Sequence, residues 1–259
     1  MPSKHNSSMT PTYQIATLAE RPDLRNACDN VTKNAWPEFM LHDPISNEYW
    51  SALYETFPAF QFALFEPNSK DVAAVGNSLP LALKLSDRKL PAEGWDWAMK
   101  KGFEDPAAGE PAQIQCAISI TIADQYRGKG ISTQMVQAMK NIGHAHGFDA
   151  LIAPIRPNQK SIYPLIPMER YVRWRRSDNL PFDAWMRVHA RLGAEIKYTC
   201  PKSMRIENTV ESWEAWTDMK FPESAKYVVP GALVPVVIDL EKDRGTYIEP
   251  NVWMVHRIR

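Results

Sequence analysis

Between Ile114 and Ile155 the apolar residues change their period twice, and few folds accommodate the result. Ile114, Cys116, Ile118, Ile120 and Ile122 alternate with Gln115, Ser119 and Thr121, the period of two of a β-strand. A turn follows. Ile131, Met135, Ala138, Met139, Ile142 and Ala145 then recur at spacings of three and four, which predicts a helix from about Gly130 to about Gly147. Ala150 to Ile155 is a short apolar run, as expected for a strand buried on both faces, and Pro154 and Pro157 end it. Strand, turn, helix and strand make a βαβ unit, whose two strands run parallel.

Around this unit the chain reads as mixed α/β. Strands are predicted at Tyr13 to Leu18, Phe60 to Phe65, Val72 to Leu83, Glu195 to Tyr198, Ala232 to Leu240 and Thr246 to His256. Pro67-Asn68-Ser69 and Glu241 to Gly245 are the turns of two hairpins. Helices are predicted over Arg21 to Ala35, Asn47 to Phe57, Trp95 to Phe103 and Phe182 to Leu192, the last stopped by Gly193, with a helical turn at Ser212 to Thr217. Pro2 to Thr10 reads as a disordered tail, and residues 12–259 as a single elaborated domain.

Composition narrows the function. Thirty basic residues balance thirty acidic ones, so the chain lacks the basic excess of a nucleic-acid or membrane-surface protein. No apolar stretch approaches a membrane span and no signal peptide is visible. Cys28, Cys116 and Cys200 are far apart and odd in number, which fits neither a disulfide framework nor a metal site but does fit a reducing cytosol. The expectation is a soluble cytoplasmic protein without a metal, its oligomeric state open and a homodimer among the options.

The turn between the first strand and the helix carries the chemistry. It reads Gln125-Tyr126-Arg127-Gly128-Lys129-Gly130. A helix N-terminus presents unpaired N–H groups and the positive end of the dipole. Two glycines let a phosphate approach the backbone, and Arg127 and Lys129 add charge. The bland alternative is a plain strand-to-helix turn. A P-loop needs four residues between its glycines and then Lys-Ser or Lys-Thr, which Gly128-Lys129-Gly130-Ile131-Ser132 lacks. A dinucleotide fingerprint needs a third glycine where Thr133 stands, and an acidic residue at the far end of the next strand, whereas Asp149 is at its beginning.

Gln125-x-x-Gly128-x-Gly130, after an alternating strand and opening an amphipathic helix, resembles the acyl-CoA motif of the GNAT N-acetyltransferase superfamily. The resemblance is firm over about Gln115 to Ile155 and extends through the helix ending Arg191-Leu192-Gly193, a CoA-binding core of about 114–196. It implies a GNAT-like mixed central sheet with a splayed parallel strand pair, flanked by helices, with N-terminal, internal and C-terminal elaborations. It implies that backbone groups of Ile120, Thr121 and Ile122 pair with the pantetheine arm of acetyl-CoA or another acyl-CoA. Gln125 and the N–H groups of Arg127, Gly128, Lys129, Gly130, Ile131 and Ser132 would hold the pyrophosphate, and Asn158 would face the cofactor. The implied activity is transfer of an acyl group, acetyl first, to the amine of a small-molecule acceptor by direct attack in a ternary complex. Two rivals remain: another acceptor or thioester reaction on the same fold (a hydroxyl, a carrier thiol), and a non-catalytic acyl-CoA-binding module.

The chain departs from the family pattern over Ser161 to Leu180, an insertion rich in arginine and aromatics that reads equally as a lid or basic clamp and as a surface excursion. The family often places a tyrosine near the following helix to protonate the departing thiolate. Here that helix has none, and Tyr163 or Tyr171 would have to reach from the insertion. Candidates for the general base are Glu249, His256, His189 and Glu169, with Glu249 favoured because its strand should lie near the splayed pair. Each has a plainer reading as a core or turn residue. Nine tryptophans in a chain of 259 residues are expected mostly to pack the core, with an acceptor pocket as the alternative use.

Overall fold

The computed structural model describes residues 13–33, 35–67, 71–85 and 89–258; the expected tail and the turn residues Asn68 and Ser69 lie outside them. The elements are β1 (Gln14–Thr17), α1 (Arg25–Lys33), α2 (Pro44–Thr56), β2 (Gln61–Phe65), β3 (Val72–Leu81), α3 (Gly94–Ala107), β4 (Ile114–Ile122), α4 (Ile131–Ala145) and β5 (Ala150–Ile155). There follow α5 (Met168–Tyr171), α6 (Ala184–Arg191), β6 (Glu195–Asn208), α7 (Val210–Thr217), β7 (Ala225–Tyr227), β8 (Val236–Asp239) and β9 (Arg244–Arg257).

Among the described residues nine strands form one sheet in the order β1-β2-β3-β4-β5-β9-β8-β7, with β6 on the other edge of β9. Every pairing is antiparallel except β4 with β5, the pair joined through α4. One face is covered by α1, α2, α3 and α7, whose Cys28, Leu53, Met99 and Trp213 share a core with Val75, Leu79, Cys116 and Trp253. On the opposite face α4 lays Ile131, Met135 and Met139 on Leu64, Ala74 and Leu151. Beside it, α5 and α6 lay Tyr171 and Met186 on Ala153, Ile155 and Met254. Full burial of a side chain of this size is worth about 1.5–3 kcal/mol, and these interlocking faces are what fix the sheet's register.

The parallel pair separates almost as soon as it forms. Only Gln115 opposite Leu151 and Cys116 opposite Ile152 are paired. On its other edge β4 carries one residue too many: Ser119 faces Asn77 and Ala117 faces Ser78, which leaves Ile118 as a bulge. A bulge bends its strand and increases the local twist. Ile118 is therefore where β4 turns away from β5, and the Trp95 Nε1–H group donates to the Ile118 carbonyl at 3.0 Å.

Some features differ from the sequence expectations, among them the strand expected at Ala232 to Leu240, which is confined to Val236–Asp239. The strand expected at Glu195 to Tyr198 continues to Asn208, because Pro201 falls in a shift of register between Cys200 and Met204, where a missing N–H costs no ladder bond. The three-residue β7 is too short to leave a periodic signal. Among the described residues, no helix is long and apolar enough to cross a membrane.

Candidate active site

Where β4 and β5 part, a cleft of about 1020 Å³ opens. One end is formed by Ile120, Thr121, Ile122, Arg127, Gly128 and Ser132, and the other by Trp36, Met40, Ser46, Trp50 and Trp95. Between them lie Arg156, Asn158, Trp185, His189, Glu249 and Asn251.

At the first end Gly128 and Gly130 have φ of 76° and 75°, the left-handed region that a residue with a Cβ occupies at a cost. A Cβ on either would meet nothing within 4 Å, so the protein itself does not need that space. Gly130 N-caps α4 without any side chain to satisfy the helix's first N–H groups, and the first turn contains no acidic residue. Such an uncapped, glycine-opened helix end suits a pyrophosphate. Arg127 is held back over the turn by an ion pair with Asp124 at 2.9 Å, and Lys129 Nζ lies 5.1 Å from the centre of the Tyr126 ring. Gln125, Lys129, Gly130 and Ile131 belong to the same turn but do not line the cleft, and Gln125 is exposed. Beyond Cys116 the β4 edge facing β5 makes no strand pair, so the backbone of Ile120 to Ile122 is open to an extended ligand.

Glu249 sits midway, fully buried. Its carboxylate accepts from Arg156 Nε at 3.1 and 2.9 Å, from the Tyr247 hydroxyl at 2.8 Å and from Asn251 Nδ2 at 3.0 Å. Arg156 also donates to the Gly231 carbonyl at 2.7 Å, and its guanidinium lies 5.9 Å from the centre of the Trp36 ring. Both oxygens of Glu249 are thus engaged by three donors, an arrangement that holds the guanidinium firmly. Two further carboxyl groups feel this charge. Burial pushes Asp43 up to about 6, with Glu249 adding to the shift, and it pushes Asp96 up to about 8, with Asp43 adding most of the rest.

The wall opposite is α6. Asp183 caps it, accepting from the N–H groups of Trp185 and Met186 at 3.0 and 3.1 Å, and also from Gln159 N–H and the Tyr171 hydroxyl, each at 2.9 Å. Asn158 lies against the same helix end, its Oδ1 accepting from Trp185 N–H at 3.3 Å. His189, one turn further along, lines the cleft with Trp185 and Val188 and is hydrogen bonded to His256 behind it at 2.8 Å.

The remaining candidates stand apart. Tyr163 packs in an aromatic cluster with Tyr171, Trp174 and Phe182 and is not part of the cleft lining. Tyr171 is buried on Asp183, and Glu169 is an exposed partner of Thr199. The insertion is anchored from beneath by Lys160, whose buried ammonium donates to the carbonyls of Tyr163 and Leu233 at 2.8 and 2.6 Å. Sequence reasoning missed Arg156, Tyr247, Asn251 and Asp183. Only Asp183 had a legible signal, an acidic residue directly before an amphipathic helix. Among the described residues no group of His, Cys, Asp and Glu side chains is arranged to hold a metal ion.

Comparison with known proteins agrees with this geometry. No protein-family model matches the sequence. A curated relative, the arginine N-acetyltransferase avaD of Aspergillus versicolor, is 31% identical over a 280-residue alignment that covers 97% of this chain and 96% of the relative. The loading GNATL domain of CurA from Lyngbya majuscula shares the fold at a TM-score of 0.57 and 14% identity, over 95% of this chain and 98% of that one. The GphF GNAT-like decarboxylase, solved with isobutyryl-CoA, does so at 0.54 and 12% identity, over 96% and 100%. With near-complete coverage of a named N-acetyltransferase, the splayed strand pair and the uncapped glycine turn, this chain belongs to the GNAT superfamily of acyl-CoA-dependent N-acetyltransferases.

Proposed function

We propose that this enzyme transfers an acetyl group from acetyl-CoA to a nitrogen of arginine or of a small arginine-containing molecule. The observation that carries the reading is the acceptor end of the cleft, where three tryptophans, Trp36, Trp50 and Trp95, line the space in front of Glu249. Indole faces attract guanidinium and ammonium groups by about 0.5–2 kcal/mol each, and Trp36 already receives Arg156 in this way. The name of the avaD relative supports the same acceptor.

In this reading the pyrophosphate rests on the α4 N-terminus, the pantetheine arm runs along the free edge of β4, and the thioester lies in the wedge beside Ile118. The acceptor nitrogen gives one proton to solvent to become neutral and attacks the thioester carbonyl; the C–S bond then breaks, and the second proton lost by the nitrogen balances the one gained by the thiolate. Direct transfer is supported by the cysteines. All three are buried, and burial pushes their thiols upward, Cys28 and Cys200 to about 12. None lines the cleft, so an acyl-cysteine intermediate has no nucleophile to form on. Of the candidate acid–base groups, Glu249 and His189 border the cleft and Tyr163 does not. We assign Glu249 the task of fixing Arg156 and the charge of the acceptor end.

The test is release of free CoA thiol from acetyl-CoA with arginine, agmatine, Nα-acetylarginine, citrulline and an arylalkylamine as acceptors. Turnover with the guanidine-bearing compounds above citrulline and the arylalkylamine is expected. Preference for the arylalkylamine would assign the tryptophans to an aromatic substrate instead.

A further inference from the structure

His189 on α6 and His256 on β9 are 67 residues apart, with side chains 1% and 0% exposed, and they meet at 2.8 Å through Nδ1 and Nε2. One proton therefore lies between the two rings. Their outer nitrogens, His189 Nε2 and His256 Nδ1, are buried and close no hydrogen bond of full geometry, the Leu192 carbonyl only approaching the His256 ring. An unpartnered polar atom in the interior costs about 1–3 kcal/mol, so a pair placed only for packing would be better replaced by two apolar side chains. The pair also touches the cleft: His189 lines it, and the Trp185 ring, which lines it too, stands edge-on with its centre 4.4 Å from that of the imidazole.

The tautomer follows from the surroundings. Leu192, at the C-terminus of α6, presents its carbonyl to His256, and that carbonyl is fixed by Lys140 Nζ of α4 at 3.3 Å. A carbonyl favours a proton on the nitrogen facing it, and with Nε2 committed to His189 that nitrogen is Nδ1. His256 Nε2 then accepts from His189 Nδ1–H, which leaves His189 Nε2 as a bare lone pair, buried in a residue that borders the cleft. Both rings are neutral: burial holds His189 well below the usual range, and burial together with the Lys140 charge holds His256 at about 4.

We propose that His189 is the catalytic proton carrier of the acetyl transfer and that His256 is the residue that positions it. The reading rests on the acetyltransferase activity but not on the identity of the acceptor. In the step, the acceptor nitrogen, made neutral by release of one proton to solvent on entering the site, attacks the thioester and becomes cationic, and its N–H bond breaks as His189 Nε2 takes the second proton. The C–S bond breaks next, and the imidazolium returns that proton to the departing sulfur. One proton enters the pair and one leaves, no other reactant is consumed, and the ring ends in its starting tautomer. His189 also takes up the role for which α6 offers no tyrosine.

The experiment is single-turnover acetyl transfer from acetyl-CoA to arginine, or to the best amine of the acceptor panel if arginine is not a substrate. Acetyl-CoA affinity is measured in parallel by calorimetry. His189→Leu is expected to slow transfer about 100-fold or more while acetyl-CoA affinity stays within about twofold. His189→Gln, which keeps the hydrogen bond to His256, is measured beside it in case the leucine variant does not fold, and the same loss is expected. His256→Phe removes the acceptor for Nδ1–H and should slow transfer about 10-fold or more, whereas His256→Gln supplies a carbonyl to that proton and should restore most of the rate. A His189→Gln enzyme within about twofold of the wild type overturns the proposal. Equal losses in His256→Phe and His256→Gln overturn the positioning role. Failure of arginine as an acceptor bears on the proposed substrate alone.

Discussion

The glycine turn can be tested with its own internal control. Gly128 has φ of 76° and Gly109, in the exposed turn after α3, has φ of 75°; a Cβ at either position meets nothing within 4 Å. Alanine at each position should therefore incur the same backbone penalty, about 1–2 kcal/mol for a left-handed residue, and lower the unfolding midpoint by a few degrees. They differ only in what approaches from outside. At Gly128 the open space is where a pyrophosphate would rest, so Gly128→Ala should weaken acetyl-CoA binding and Gly109→Ala should not. Gly128→Asp adds a charge. One unit charge about 5 Å from a phosphate charge, at an effective dielectric of about 20–40, is repelled by about 2–3 kcal/mol, roughly a 20- to 250-fold loss of affinity. Calorimetric titration with CoA and thermal unfolding of the three variants decide the matter. If Gly128→Asp binds CoA like the wild type, the pyrophosphate is not on α4. If Gly109→Ala loses affinity as well, the effect is strain and not contact.

Three further outcomes follow from the same geometry. Glu249→Gln strips Arg156 of its counter-ion and should cost about 2–4 kcal/mol of stability and most of the acetyl transfer, with CoA affinity held within a few-fold; a parallel loss of CoA affinity would disprove the division of the cleft into two ends. Asp96, pushed up to about 8 by burial, stays protonated in the folded protein where the unfolded chain ionises near 4, so the folded state binds more protons and its stability falls as pH rises from about 4 to 8. Asp96→Asn keeps an acceptor for Arg205 N–H and should remove that loss, gaining about 1–3 kcal/mol over the wild type at pH 8 and much less at pH 5 in urea titrations; an equal effect at both pH values would refute it. Asp183→Ala deprives three N–H groups and the Tyr171 hydroxyl of their acceptor and should destabilise by about 2–4 kcal/mol, with the midpoint read by circular dichroism; a change under 1 kcal/mol would show that water replaces the cap.

The parts of the site legible in the sequence are those built from neighbouring residues. Ile114 to Ile122 alternate because one strand must bury one face. Ile131 to Ala145 repeat at helical spacing because α4 covers the sheet, and Gly128 and Gly130 stand where the chain must turn left-handed. Period and turn chemistry are local, so a chain segment carries them whatever it packs against. The acyl-CoA end was readable for that reason, and so was the superfamily.

The middle of the cleft was not readable, because its groups come from different elements and meet only through the sheet. Arg156 follows β5, Glu249 and Asn251 lie on β9, and the tryptophans that face them come from the N-terminal region and α3. Their adjacency depends on β5 pairing with β9, on the bulge at Ile118 that parts β4 from β5, and on Pro201 being absorbed by a shift of register. Glu249 could be picked out as an acidic residue near the wedge, but not the four hydrogen bonds that tie it to Arg156, Tyr247 and Asn251. His189 could be picked out as a lone histidine on an apolar helix face. Its hydrogen-bond partner 67 positions away follows only once α6 is laid on β9. The sequence alone determined the glycine turn proposed to hold the acyl donor, since that turn depends on local geometry; the tertiary structure decided what surrounds the proposed acceptor end and the histidine pair, since those depend on which distant side chains the packed sheet brings within hydrogen-bond range.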